Sequence, residues 1–396
     1  MHAPIAKIAS DESRAPAWGG VFALALGAFA LVASEFMPVS LLTPIASELR
    51  VTEGQAGQAI AVSGAFAIPA SLFISTLAGD LNRKLLLIAL TAVMVISGVI
   101  VSIAPNYEIF MVGRALIGVV IGGFWSLSAA MAMRLVPEDQ VPKALAILNG
   151  GNALAMVIAA PLGSFLGSIV GWRGAFFFIV PVGLIVLVWQ VISLPSMTIE
   201  ARTSAMAAFR ILKKPFIAIG MAAVSLFFLA QFVLFTYLRP FLETAKHVDA
   251  ATLSLLLLLM GVSGAIGSLL IGRFIDRGQY PTLIVIPVVM ALIATALILV
   301  GGGLAVTAIL LALWGVLATS APAAWWTWVA KALPDDAEAG GGLMVAVVQF
   351  AITGGAVAGG ILYDSSGHIT TFSASAVILL GAAALATATM WTVRKG

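Results

Sequence analysis

The feature that most constrains this chain is a series of long apolar runs separated by short polar segments. A helix needs about 20 mostly apolar residues to cross the hydrocarbon core of a bilayer. Twelve runs reach this length: 18–42, 55–78, 85–104, 108–131, 144–167, 174–194, 216–238, 250–271, 282–301, 304–327, 341–362 and 370–391. Stretches such as the five leucines at 255–259 lack the polar–apolar alternation of a membrane β-barrel. We therefore predict an all-α membrane protein with twelve transmembrane helices.

Composition excludes several classes of function. Charged residues make up only 9% of the chain, against about 25% in soluble domains. The absence of cysteine rules out disulfides, thiol catalysis and cysteine-ligated metals. The sequence holds no GxxxxGK[ST] phosphate loop, no HExxH motif and no polar segment large enough for a catalytic domain. We predict a protein that is not an enzyme, needs no cofactor or metal, and has membrane lipid rather than nucleic acid around it.

The loops predict the orientation of the chain. With the N-terminus placed in the cytoplasm, fifteen lysines and arginines fall in cytoplasmic segments and three fall outside. Cytoplasmic loops of membrane proteins carry such an excess. Both termini are therefore expected in the cytoplasm.

The chain divides near its middle. The longest polar stretch between runs is 195–215. A shift of 196 residues along the sequence aligns four pairs of identical residues: Asp80 with Asp276, Gly163 with Gly359, Gly171 with Gly367 and Phe176 with Phe372. We predict a cytoplasmic tail (1–17), a six-helix bundle (18–194), a cytoplasmic linker (195–215), a second six-helix bundle (216–391) and a short tail (392–396). The two bundles would be pseudo-symmetric.

Two charged residues lie well inside predicted spans. Glu35 is in the first helix, and Arg114 is in the fourth at similar depth. A charge at the centre of a spanning helix costs at least ~2.5–3.5 kcal/mol on insertion scales, so such residues mark proton or substrate paths. Glu35 is the predicted proton-coupling acid. Arg114 has two interpretations, direct coupling with Glu35 or bracing of its helix through backbone carbonyls.

Aromatic and amide side chains suggest a substrate pocket. Trp125 follows Arg114 by three helical turns and shares its face, while Gln231 and Phe235 share a face of the seventh helix. Asn152 is a further polar candidate. Ligand pockets combine apolar walls with a few polar anchors. Packing between helices explains the same residues, and both interpretations stay open here.

Several motifs resemble those of a transporter family. Gly-Arg-Ala-Leu-Ile-Gly at 113–118, Pro-Leu-Gly at 161–163 with the glycines that follow it, and Gly-Arg-Phe-Ile-Asp-Arg at 272–277 resemble the drug:proton antiporter branch of the major facilitator superfamily. The segments 35–44, 122–125, 133–137 and 235–240 are most similar to the bacterial purine ribonucleoside efflux pumps. The loop motif at 77–84 departs from the usual pattern.

The resemblance implies a function. It implies the two-bundle major facilitator fold, a location in the bacterial inner membrane, and efflux of purine ribonucleosides such as inosine in exchange for protons by alternating access. It adds Phe124 and Tyr237 to the expected substrate site and implies a monomer. A sugar or multidrug:proton exporter of the same superfamily is the alternative, and a passive facilitator is a further one.

Overall fold

The computed structural model describes residues 16–79, 81–197, 210–299, 303–333 and 337–395. Helices account for nearly all of them, and no strand occurs in these ranges. A 3₁₀ turn at Glu138–Gln140 precedes α5. The helices are α1 (Trp18–Leu49), α2 (Glu53–Leu77), α3 (Arg83–Ile103), α4 (Tyr107–Arg134), α5 (Val141–Phe177), α6 (Ile179–Ser193), α7 (Pro215–Phe235), α8 (Leu238–Thr244), α9 (Ala250–Arg277), α10 (Gln279–Leu299), α11 (Leu304–Ala332) and α12 (Ala337–Lys395).

Ten helical segments in the described ranges are long and apolar enough to cross a membrane, so the prediction of an all-α membrane protein is confirmed. Twelve separate spans are not seen, because two pairs of predicted spans are joined. Each joined segment contains one glycine with left-handed backbone, Gly171 (φ 72°) and Gly367 (φ 74°). These glycines lie where the sequence places the boundary between spans, and only glycine adopts this conformation at no steric cost.

The predicted end of the first helix, near residue 42, is wrong. α1 continues through Pro38 and Pro44 to Leu49, and Arg50 ends it with left-handed backbone (φ 56°). A proline inside a helix removes the hydrogen bond to the carbonyl four residues earlier. In α1, arginines from other helices donate hydrogen bonds to both of the carbonyls that the prolines leave unpaired, as described below.

Glycines spaced four residues apart on α4 allow it to pack closely on α2. A Cβ on Gly118 would lie 2.2 Å from the Ser63 carbonyl oxygen of α2, and one on Gly122 would lie 2.2 Å from the corresponding atom of Ala67. Small residues let helix backbones approach where lipid provides no hydrophobic driving force. The glycine face of α4 therefore fixes its contact with α2.

The repeat predicted from the sequence has matching roles in the two halves. Gly163 of α5 packs against Ser40 of α1, and its partner Gly359 of α12 packs against Val233 of α7. Gly171 and Gly367 share one unusual backbone conformation. Phe176 and Phe372, a third pair related by the repeat, are both buried. These matches support the repeat, while the division at 18–194 and 216–391 stays a prediction. Asp80, most of the tail 1–17 and most of the linker 195–215 lie outside the described residues.

Two buried clusters organise the structure. One consists almost entirely of residues from α1–α6, the first half, and the other is formed mainly by α7–α12, the second half. The halves contact each other where α2 packs on α12, α5 on α9, and α1 on α8. We call the end where α1 finishes, α2 begins and α8 lies the closed end, because the halves meet there.

Candidate coupling and substrate site

Arg114 is completely buried and binds backbone groups of two helices. It donates to the carbonyl oxygens of Ser34 (2.7 Å), Glu35 (2.8 Å) and Ala59 (3.1 Å), and to the Ser63 hydroxyl (3.2 Å). The Ser34 carbonyl is the one that Pro38 leaves without its helical donor. Arg114 thus satisfies an acceptor that the helix itself cannot satisfy. This is the bracing geometry that the sequence left open.

Glu35 lies beside this arginine without pairing to it through its carboxylate. Its side chain is 3% exposed, and its carboxylate accepts a hydrogen bond from the Gln349 side-chain amide of α12 (3.3 Å). Among the described residues, no ion pair within 4.0 Å joins the Glu35 carboxylate to Arg114. The one buried acid of α1 is therefore in contact with the second half through a neutral amide.

Aromatic rings continue this contact between the halves. Phe36, next to Glu35 on α1, lies 5.6 Å from Phe232 of α7 between ring centroids. Phe232 in turn contacts Phe235 edge to face at 5.9 Å. Gln231, also on α7, is 6% exposed, and its side-chain oxygen has no hydrogen-bond partner. An apolar wall with an unpaired acceptor is suited to binding a solute that combines an apolar face with hydrogen-bond donors.

The other predicted residues do not join this group. Phe124 is buried against Gly27 of α1, and Trp125 is half-buried and touches Phe124 edge to face at 5.7 Å. Asn152 is half-buried on α5. Tyr237 lies at the closed end and donates to the Ala356 carbonyl oxygen at 2.8 Å. Their substrate-binding roles stay predictions.

Sequence reasoning missed three participants. Gln349 is an uncharged amide within a span, which hydrogen bonding between helices explains from the sequence, although its oxygen is buried without a partner. Phe36 and Phe232 were not singled out. A signal for Phe36 existed in the segment 35–44, and the position of Gln349 beside Glu35 depends on a contact across 314 residues of sequence.

The comparisons with known proteins identify the family. The sequence profile described as "Major Facilitator Superfamily" matches residues 24–352. This chain belongs to the Major Facilitator Superfamily. A protein of Pseudomonas aeruginosa named "Transcription regulatory protein OpdE" is 58% identical over 379 residues, which cover 95% of this chain and 94% of that protein. The "Purine ribonucleoside efflux pump NepI" of Salmonella typhimurium is 37% identical over 374 residues, 94% of each chain.

Solved structures of other membrane transporters share the fold at low sequence identity. A bacterial homolog of the human lysosomal transporter Spinster, in an inward-facing and occupied conformation, has a TM-score of 0.75 at 14% identity, over 94% of this chain and 96% of that one. A D-xylose–proton symporter has a TM-score of 0.73 at 16% identity, over 94% and 97%. The chain is thus a membrane transporter by family and fold, and such proteins are generally not enzymes.

Proposed function

We propose that this chain is a proton-coupled exporter of purine ribonucleosides, which works by alternating access with both termini in the cytoplasm of a bacterium. One observation carries the proposal: the single buried acid of α1, Glu35, lies at the contact between the halves and is hydrogen-bonded to Gln349 of the opposite half. Protonation of that carboxylate changes a contact between the two parts that must move. A proton can therefore bias which end of the bundle is open.

The substrate assignment rests on likeness to known exporters and on the aromatic and amide side chains of the candidate site. Relatives that are 37% identical over almost their whole length are named purine ribonucleoside efflux pumps. A purine offers a flat ring for Phe235 or Trp125, and base–aromatic stacking contributes about 1–3 kcal/mol per base in nucleic-acid binding proteins. The ribose hydroxyls could donate to the unpaired oxygens of Gln231 and Gln349. A neutral solute of this kind requires no second buried charge.

The 58% identical relative has a regulatory name, which supports a second candidate function. The described residues outside the helices form only short connections, and ten helical segments in the described ranges suit a membrane. We propose that any effect of this chain on transcription is indirect and follows from export of a solute that a separate regulator senses. A Glu35→Gln variant would then lose both the export and the change in transcription.

The experiment is transport by purified protein in proteoliposomes with an imposed pH gradient. Inosine and guanosine are compared with arabinose and a cationic drug, and Glu35→Gln is compared with Glu48→Gln. Glu48 bonds Trp172 and Arg173 of the same half and serves as the matched control. We expect uphill nucleoside movement that an uncoupler and Glu35→Gln abolish, and that Glu48→Gln keeps.

The alternatives predict other outcomes of the same assay. Movement of arabinose or the drug without nucleoside movement would replace the substrate assignment with a sugar or multidrug exporter. Transport that runs only downhill and ignores the uncoupler would indicate a passive facilitator. Normal pH-driven transport by Glu35→Gln would remove Glu35 from the coupling role.

A further inference from the structure

The second proline of α1 creates an acceptor that the opposite half occupies. Pro44 leaves the Ser40 carbonyl without its helical donor. Arg239 of α8, in the second half, donates to that oxygen. Glu243 holds the guanidinium in place, at 2.8 Å from Nε and 2.7 Å from a terminal nitrogen. Arg239 is only 8% exposed, so water competes little for this contact.

A second charged group crosses between the halves at the same end. The Asp364 carboxylate of α12 accepts hydrogen bonds from the Thr52 hydroxyl (2.5 Å) and from the backbone N–H of Gly54 (2.9 Å). Both partners belong to the first turn of α2 and the residue before it. The first N–H groups of a helix have no partner within the helix, and the helix dipole favours an acid there.

We propose that Arg239 and Asp364 are gate residues that hold the closed end shut. Each is a charged side chain of the second half bound to a backbone group that helix geometry leaves unpaired in the first half. Alternating access requires this end to open once per cycle, so both contacts must break and re-form. Arg114 uses the same chemistry on Ser34 but lies within the first half, so opening this end does not require its contact to break.

Tyr237 fills the space between the two contacts. Its ring stacks on Tyr363 at 5.3 Å, and a Cβ on Gly57 of α2 would lie 2.2 Å from its hydroxyl oxygen. Its hydroxyl donates to the Ala356 carbonyl oxygen within the second half. The same hydroxyl lies 3.5 Å from the Gly54 carbonyl oxygen of α2, a long hydrogen bond to the first half. Tyr237 therefore adds packing and one weak neutral hydrogen bond between the halves, and Arg239 and Asp364 supply the charged attachments.

The chain contains matched controls for both gate residues at the same end. Arg173 donates to the Ala104 carbonyl oxygen and pairs with Glu48, all within the first half. Asp249 accepts from the backbone N–H of Thr252 at the start of α9, within the second half. Each control repeats the chemistry of a gate residue without crossing between halves.

The test measures distances between the halves in the full-length protein in nanodiscs. Because the chain has no cysteine, spin labels can be placed at introduced cysteines without further changes. One label pair, Ser47→Cys with Ser366→Cys, reports the closed end, and another, Ala130→Cys with Ala330→Cys, reports the opposite end. All four positions are exposed. Arg239→Gln, Asp364→Asn, Arg173→Gln and Asp249→Asn are compared in each pair, without substrate.

We expect Arg239→Gln to lower the closed-to-open ratio at the closed end by about tenfold, the effect of losing one hydrogen bond to a charged group. Asp364→Asn should lower it by about threefold, because Asp364 and Thr52 are exposed and water competes for their contact. The other label pair should move closer together, since the halves rock as bodies. Arg173→Gln and Asp249→Asn should leave both distributions unchanged. Unchanged distributions in the gate variants would overturn the proposal, and so would equal shifts in all four variants.

A proline variant distinguishes loss of the gate contact from general destabilisation of the fold. Pro44→Ala restores a helical N–H to the Ser40 carbonyl, so Arg239 is no longer its needed donor. Pro44→Ala alone should open the closed end, and Arg239→Gln should have a smaller effect in that background. An undiminished effect would contradict the assigned contact. The gate proposal rests on alternating access and not on the identity of the substrate. The distance measurements can therefore refute the gate while nucleoside export is confirmed, and the transport assay can refute nucleoside export while the gate is confirmed.

Discussion

Replacing Arg114 with lysine tests the bracing role of this residue directly, because the structure shows which hydrogen bonds the substitution removes. The guanidinium reaches four acceptors on two helices, and three of them are backbone carbonyls. A lysine has one nitrogen at one point and cannot span them. Ala59 and Glu35 keep helical donors, whereas the Ser34 carbonyl opposite Pro38 has none. A buried acceptor left unpaired costs about 1–3 kcal/mol.

We therefore expect Arg114→Lys to lower the free energy of unfolding by about 2–4 kcal/mol, mostly through Ser34 and partly through the remaining bonds. The assay is reversible unfolding in mixed detergent micelles, followed by helical circular dichroism. Arg173→Lys is the control, since Arg173 is 28% exposed and its partner Glu48 is 56% exposed, and ion pairs that water reaches contribute about 0–1 kcal/mol.

A double-mutant cycle with Pro38→Ala gives the decisive result. Alanine at 38 restores an N–H for the Ser34 carbonyl, so Arg114→Lys should cost about 1 kcal/mol less in that background. Equal costs in both backgrounds would refute the account of this carbonyl. Because Arg114 binds backbone and not the Glu35 carboxylate, the pH profile of the remaining transport should also be unchanged. A moved pH optimum would show that the arginine couples directly to the acid.

Further predictions concern the neighbours of this brace. Gln349→Leu removes the amide that stabilises the ionised form of its partner acid, so half-maximal transport in proteoliposomes should move to higher pH, and an unmoved profile would remove Gln349 from coupling. Gly122→Ala should destabilise the protein by about 1–3 kcal/mol in the same unfolding assay, because a Cβ there meets the α2 backbone, whereas Gly150→Ala meets open space and should be neutral. Trp125→Ala should weaken inosine-dependent thermal stabilisation without changing the fold, and equal inosine affinity would exclude stacking on this ring. Reporter fusions in 195–215 and after residue 395 should both give cytoplasmic signals, and a periplasmic signal at either would reject the proposed orientation.

Much of the fold was predictable, because lipid imposes a simple pattern on sequence. Apolar runs give helices, and the spacing of Gly118 and Gly122 predicts a close helix contact that the structure contains. The end of α1 was not predictable in the same way. Pro44 alone argues against a continuous helix, and the arginine that compensates for it lies about 200 residues away in sequence.

The site was predictable in its charged members and not in its neutral ones. Glu35 and Arg114 stand out because buried charges are rare in lipid, and the structure places them side by side. Their relation runs through the backbone, a detail that a sequence pattern leaves open. Gln349 carries no charge and has an ordinary explanation as an interhelical amide, so only the fold reveals its partner. Tyr237 shares a motif with Phe235, yet the short helix α8 begins after it and directs its ring to the closed end.

The energetics argue that the proton does not act alone. The hydrogen bond from Gln349 to Glu35 is worth about 1.5–3 kcal/mol if the carboxylate is ionised. Moving a two-state equilibrium from 1:99 to 99:1 needs about 5.5 kcal/mol. Breaking this one contact therefore cannot reverse the equilibrium between open ends, least of all while Arg239 still holds the Ser40 carbonyl. Under the proposed function, exchange of one proton for a neutral solute adds ~2.3 kcal/mol per 100 mV of membrane potential over a whole cycle. An exchanger changes conformation with either the proton or the solute bound, so rearrangements beyond this one contact must accompany the binding of each.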